Sequence, residues 1–82
     1  MNIDEYYSVR WNVAGNKKSP IEALEVLAND KEPDIRKAVA ENPNTLYNTL
    51  VLLSKDKELC VSENAKKVLK ERKEKSKTSK ER

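Results

Sequence analysis

The sequence predicts an all-α fold built as a short stack of helix pairs, about two 26-residue repeats plus a capping helix. Three observations carry that expectation: self-similarity at a fixed offset, apolar residues at helical spacing inside each copy, and Pro, Asn, Ser and Thr grouped between the apolar stripes. Val9 to Asp34 aligns without gaps on Ile35 to Cys60. Nine of the 26 pairs are identical: Arg10/Arg36, Val13/Val39, Ala14/Ala40, Asn16/Asn42, Leu24/Leu50, Leu27/Leu53, Asp30/Asp56, Lys31/Lys57 and Glu32/Glu58. Val9/Ile35, Ser19/Thr45, Val26/Leu52 and Ala28/Ser54 are conservative pairs. A third copy begins at Val61 and fades after Ala65, so the repeat accounts for most of the chain.

The elements follow in order. Tyr6, Val9 and Val13 line one face of a helix over about 5–15. Asn16 then closes it, because Asn tolerates the left-handed conformation that ends helices. Ser19-Pro20-Ile21-Glu22 reads as a capping box, with Ser19 as N-cap and Pro20 at the first helical position. The helix it opens, about 20–30, carries Ile21, Leu24, Leu27 and Ala28 as one stripe. Pro33 opens a helix over 33–41 with Ile35, Ala38 and Val39 inward; Asn42-Pro43 stops it. Thr45 caps a helix over 45–55, where Tyr47, Val51 and Leu52 widen the stripe of Leu46, Leu50 and Leu53, so this helix is expected to be the most buried. Val61, Ala65, Val68 and Leu69 define a last helix over about 58–75. Residues 1–72 are thus expected to form one helical-repeat domain and 73–82 a charged tail that lapses into disorder.

The strings Val9-Arg10-Trp11-Asn12-Val13-Ala14-Gly15-Asn16 and Ile35-Arg36-Lys37-Ala38-Val39-Ala40-Glu41-Asn42-Pro43, with Leu24-Glu25-Val26-Leu27-Ala28-Asn29-Asp30 following the first, resemble the leucine-rich repeat variant family, a relative in shape of HEAT and armadillo repeats. The resemblance spans about residues 9–69. It implies a right-handed α-solenoid of alternating longer and shorter helices, with a binding role and no common catalytic activity. Some members carry an iron–sulfur cluster on a separate cysteine-rich segment; that segment is absent here, and Cys60 alone cannot hold a cluster.

Composition narrows the chemistry. The 82 residues contain no His, one Cys and one Gly, which removes imidazole bases, His-ligated metals, an intramolecular disulfide and a glycine-rich phosphate loop. No enzyme, catalytic residue, cofactor or metal is expected. Leu50 to Leu53 is the longest apolar run, four residues against the roughly 20 a membrane helix needs. The polar, acidic start Met1-Asn2-Ile3-Asp4-Glu5 does not read as an export signal, and a reducing cytoplasm is the expected setting.

The residues left for function are few. Arg10 and Arg36 recur in register, either as a ligand-binding ladder or as bridges along the stack, each guanidinium reaching the acidic turn of a neighbouring repeat and fixing the spacing, with Asp30, Asp34 and Asp56 as the candidate acids. Asp30 and Asp56 read as turn residues that bond local N–H groups. Cys60 reads as a part-buried thiol. Tyr7 and Trp11 share a face and are candidate partner contacts together with Arg10 and Arg36; Tyr6 lies on the Val9 face. Residues 1–62 carry a net charge of −2 and 63–82 a net charge of +5, which makes Lys70, Arg72, Lys73, Lys75, Lys77 and Lys80 candidates for nucleic-acid contact, with Lys17, Lys18 and Lys37 as auxiliaries. No aromatic interleaves that basic run, as a single-strand stacking platform requires. The expected function is therefore protein–protein interaction, with self-association through one end of the stack as one route and weak nucleic-acid binding by the tail as the alternative.

Overall fold

A computed structural model describes the backbone of residues 3–81 and the side chains of residues 6–73. Five α-helices follow one another: α1 (Ile3–Gly15), α2 (Ile21–Leu27), α3 (Pro33–Glu41), α4 (Tyr47–Leu53) and α5 (Leu59–Glu81), with no strand among the described residues. The 26-residue offset governs their boundaries. Adding it to α2 gives α4, adding it to the first residue of α3 gives the first of α5, and α1 and α3 end at equivalent positions.

α3 lies between α1 and α5, α2 packs on α1 and α3, and α4 packs mainly on α5. The core is Ala14, Leu24, Leu27, Ile35, Ala38, Val39, Ala40, Leu50, Leu53, Val61 and Ala65, rimmed by Tyr7, Val13, Ala28, Val68 and Leu69. Leu24 and Leu50, equivalent by sequence, are both fully enclosed. Burial of this apolar surface, at roughly 25 cal/mol per Å², is the main driving force in a chain whose mean hydropathy is only −0.90.

The most enclosed element is α3, with Ile35, Arg36, Ala38, Val39 and Ala40 all buried. The sequence pattern points to α4 instead, but only Thr49, Leu50 and Leu53 are buried there, and Tyr47 and Leu52 face outward. The reason is position: α3 is covered on both sides, whereas α4 has one covered flank. The wide apolar stripe of α4 overcounts because its outer residues meet nothing.

The turn chemistry also differs from the capping-box reading. Pro20 and Leu46 are the N-caps, in extended conformation (φ −67°, ψ 150° and φ −67°, ψ 151°), and neither makes a side-chain cap bond. Ser19 and Thr45 turn the other way. The Ser19 hydroxyl donates to the Val13 carbonyl and the Thr45 hydroxyl to the Val39 carbonyl, each at 2.6 Å, so each satisfies the end of the preceding helix rather than the start of the next. Among the described residues none has positive φ, so Asn16 and Asn42 do not close their helices in the left-handed region. They accept instead, through Oδ1, from the backbone N–H two residues on, Lys18 at 2.9 Å and Asn44 at 2.8 Å. α2 and α4 are shorter than their stripes suggest, because Asn29 and Asp30, and Lys55 and Asp56, bond three residues back in a tightened last turn. α5 passes its expected end near residue 75 because 59–82 contains no Pro or Gly and is rich in strong helix formers. The expected tail, 73–82, falls almost wholly on side chains outside the described residues.

Candidate functional site

Two turns, one after α2 and one after α4, each place an aspartate against an arginine 20 residues earlier. Asp30 Oδ1 accepts the Glu32 N–H at 3.0 Å while Oδ2 accepts from Arg10 Nε at 2.7 Å. Asp56 repeats this with the Glu58 N–H at 2.9 Å and Arg36 Nε at 2.7 Å, and adds Arg36 Nη2 at 3.0 Å, a two-toothed pair. Arg36 also reaches back: its Nη1 donates to the Asp30 carbonyl at 2.7 Å. One guanidinium thus joins both turns. The side chains of Arg36 and Asp56 are each 10% exposed, against 27% and 8% for Arg10 and Asp30. The bond from Arg36 holds the Asp56 carboxyl below its ordinary value against the opposing effect of desolvation, and the same bond raises Arg36.

A second ladder runs through amides. Asn42 Nδ2 donates to the carbonyls of Ala14 at 2.8 Å and Asn16 at 2.9 Å, which binds α3 to the free end of α1. Asn44 Nδ2 adds bonds to the Lys17 carbonyl and, at 3.4 Å, to that of Ser19. At the corresponding end of α3 the donor is Arg72 from α5, bonded to the carbonyls of Thr45 at 2.6 Å, Pro43 at 3.1 Å and Asn42 at 3.3 Å. Arg72 continues the inward series Val61, Ala65, Val68 by four residues, the pattern that could have separated it from the exposed lysines of the tail.

These placements sort the candidates. Arg10 and Arg36 are paired with Asp30 and Asp56 of their own copies, not with the aspartate of a neighbouring copy as expected, because the turn 20 residues on folds back beside the arginine; only the Arg36 Nη1 bond to the Asp30 carbonyl crosses between copies, and Asp34 instead accepts the Tyr7 hydroxyl at 3.2 Å. Desolvation first, and that bond second, hold the Tyr7 phenol above its ordinary value. The rings of Tyr7 and Trp11 stack with centroids 6.4 Å apart and planes 17° from parallel, and Trp11 is exposed. Tyr6 and Val9 are exposed on the neighbouring flank of α1. In the basic series, Lys70 and Lys73 are exposed, Arg72 is held by the three carbonyls, and the side chains of Lys75, Lys77 and Lys80 lie outside the described residues. The auxiliaries Lys17 and Lys18 are exposed in the α1–α2 turn, and Lys37 is half-buried in α3. Cys60 is exposed rather than part-buried, because it stands at the first turn of α5 on the side away from Val61 and Ala65.

Among the described residues no three His, Cys, Asp or Glu side chains converge as a metal site, and no helix is long and apolar enough to cross a membrane. No buried side-chain N or O atom there lacks a hydrogen-bond partner, so the polar groups of the interior are committed to holding the helices. No family model, no curated protein and no solved structure matches the chain.

Proposed function

We propose that the chain is a small helical-repeat interaction module, a short solenoid of two helix pairs closed by α5, which binds a protein partner and carries out no chemistry. The resemblance to the leucine-rich repeat variant family belongs to this proposal, as do the right-handed stack and a cytoplasmic setting. The observation that carries the reading is a difference between equivalent positions. Where the charged residues Glu32 and Lys37 stand 26 residues on, α1 has Tyr6 and Trp11, both exposed. Exposed aromatics in place of charged residues are the composition of a protein-contact surface, since Tyr and Trp bring large contact area at low entropic cost. Arg10, engaged with Asp30, ties α1 and this surface to the turn after α2.

The test is affinity capture from the native cells with the wild-type chain and with a Tyr6→Lys, Trp11→Lys double substitution. A partner retained by the first and lost by the second supports the reading; a partner retained equally by both overturns the assignment to α1. Nucleic-acid binding is the second reading, favoured by the exposure of Lys70 and Lys73 on a segment of net charge +5. It requires binding to DNA or RNA at low salt that weakens steeply as salt rises and disappears when residues 73–82 are removed.

A further inference from the structure

α5 sorts its charges by face. Lys66, Lys70 and Lys73 follow one another at four and three residues, and Lys77 and Lys80 keep that spacing along a helix backbone that runs unbroken to Glu81. At about 100° per residue the five positions fall within an arc of roughly 80°, and from Lys66 on no other residue shares it. The acidic positions of the same stretch, Glu71, Glu74 and Glu81, all lie on one flank of that arc, while Val61, Ala65, Val68 and Arg72 hold the packed side. Lys66, Lys70 and Lys73 are exposed, and among the described residues none of them joins an ion pair or a side-chain hydrogen bond. The three bonds from Arg72 to the α3–α4 turn fix the rotation of α5, so this lysine face has a set direction on the folded chain.

A helix that only needs to stay dissolved mixes its signs at i, i+4, which also stabilises it; like charges stacked at that spacing repel and cost stability. The stack makes sense against an array of fixed negative charge. Its lysines are spaced about 5 Å apart along the axis, and a nucleic-acid duplex presents about one charge per 1.7 Å of its own. A protein partner fits less well, because interface centres are depleted of Lys and built on aromatic or apolar anchors, and every exposed residue of α5 from Glu63 to Lys73 is charged. The same lack removes base stacking and the apolar face that an interfacial membrane helix buries. Lysine also brings a point charge without a planar fork, which suits phosphate rather than base edges. On the nucleic-acid reading given above, we propose that the α5 face of Lys66, Lys70 and Lys73, continued in register by Lys77 and Lys80, docks the phosphate backbone of a duplex without regard to its sequence.

The full chain is titrated, by fluorescence anisotropy over a series of salt concentrations, with short DNA and RNA duplexes of two unrelated sequences. One variant carries Lys66→Gln, Lys70→Gln and Lys73→Gln. A second, with the same change in charge, carries Lys31→Gln, Lys57→Gln and Lys67→Gln, all exposed and off the stripe. Gln matches Lys in helix propensity, so both variants keep the fold, which circular dichroism checks. The two sequences are expected to bind alike. The stripe variant loses about tenfold or more at low salt and flattens the slope of log K against log salt by about 2 to 3, near 0.9 for each lysine that meets a phosphate; the control loses less than about threefold and keeps the slope. Binding of either duplex on these terms supports the proposal, and the tighter one names the source. Equal losses in the two variants, or a marked preference for one sequence, overturn it while the nucleic-acid reading stands. No binding at low salt overturns both. Stripe-dependent binding to vesicles of phosphatidylserine and phosphatidylcholine, with none to the duplexes, assigns the face to a lipid surface and overturns both as well.

Discussion

Replacing Asp56 by Asn separates charge from shape at the better enclosed of the two ion pairs. The amide keeps an oxygen to accept the Glu58 N–H, so the turn after α4 survives, but the Arg36 guanidinium loses the carboxylate that it meets at 2.7 and 3.0 Å. With the Arg36 side chain 10% exposed, water can replace little of that interaction. Removing one partner of an enclosed pair costs about 3–5 kcal/mol, and the remaining bond from Nη1 to Asp30 places this case near 3 kcal/mol. Asp30→Asn is the internal control. Arg10 is 27% exposed and can rehydrate, so the loss there is about 1 kcal/mol. Urea unfolding followed by circular dichroism at pH 7 measures both. Equal losses, or a loss below about 1 kcal/mol for Asp56→Asn, would refute the reasoning that enclosure sets the energy. The pH dependence has a fixed sign. Asp56 is lowered in the folded state, so the unfolded chain binds more protons through the acid range and the contribution is present above the unfolded carboxylate value near 3.9, then lost as pH falls through the folded one. Asp56→Asn removes that share of the acid sensitivity; Arg36, being raised, stays charged throughout.

Other expectations use equivalent positions as paired controls. Ile35→Ala removes a fully buried side chain and is expected to cost about 3 kcal/mol, while Val9→Ala in the same chain costs under about 0.5 kcal/mol, both read from denaturant midpoints. Asn42→Ala strips donors from the carbonyls of Ala14 and Asn16 and is expected to cost about 2 kcal/mol; Asn16→Ala, losing only a local turn bond, is expected to cost about 0.5 kcal/mol. Arg72→Met keeps the stem of the side chain but removes three bonds at the end of α3. It should lower stability by about 1 kcal/mol and speed amide exchange in α3's last turn, while Lys73→Met changes neither.

Much of this architecture was legible because a repeat states its own equivalences. Leu24 and Leu50, Arg10 and Arg36, and Asp30 and Asp56 could be paired from identity alone, but not which arginine meets which aspartate: a neighbouring copy's turn was expected, and each ion pair closes within its own copy. Direction was not legible. Ser19 precedes a proline and a carboxylate, as a cap would, yet its hydroxyl meets the Val13 carbonyl in the last turn of the helix behind it, a second donor beside the Asn16 N–H. Neighbours were not legible either. Val9 and Ile35 are near-identical in chemistry and opposite in burial, since what covers a stripe is set by the next element and not by the stripe. Arg72 was hidden for a related reason: among so many basic residues, only its phase on α5 marks it as turned inward.

The reach of Arg36 into two turns sets how the molecule can come apart. A chain assembled from local neighbours would be expected to fray piecemeal, one hairpin at a time. Here the release of the second turn also loosens the first through the Asp30 carbonyl, so the segment from Arg10 to Asp56 is coupled into one cooperative block. It also locks spacing: an added residue between Asp30 and Arg36 would break both attachments at once, whereas the exposed surface of α2 could change sequence freely.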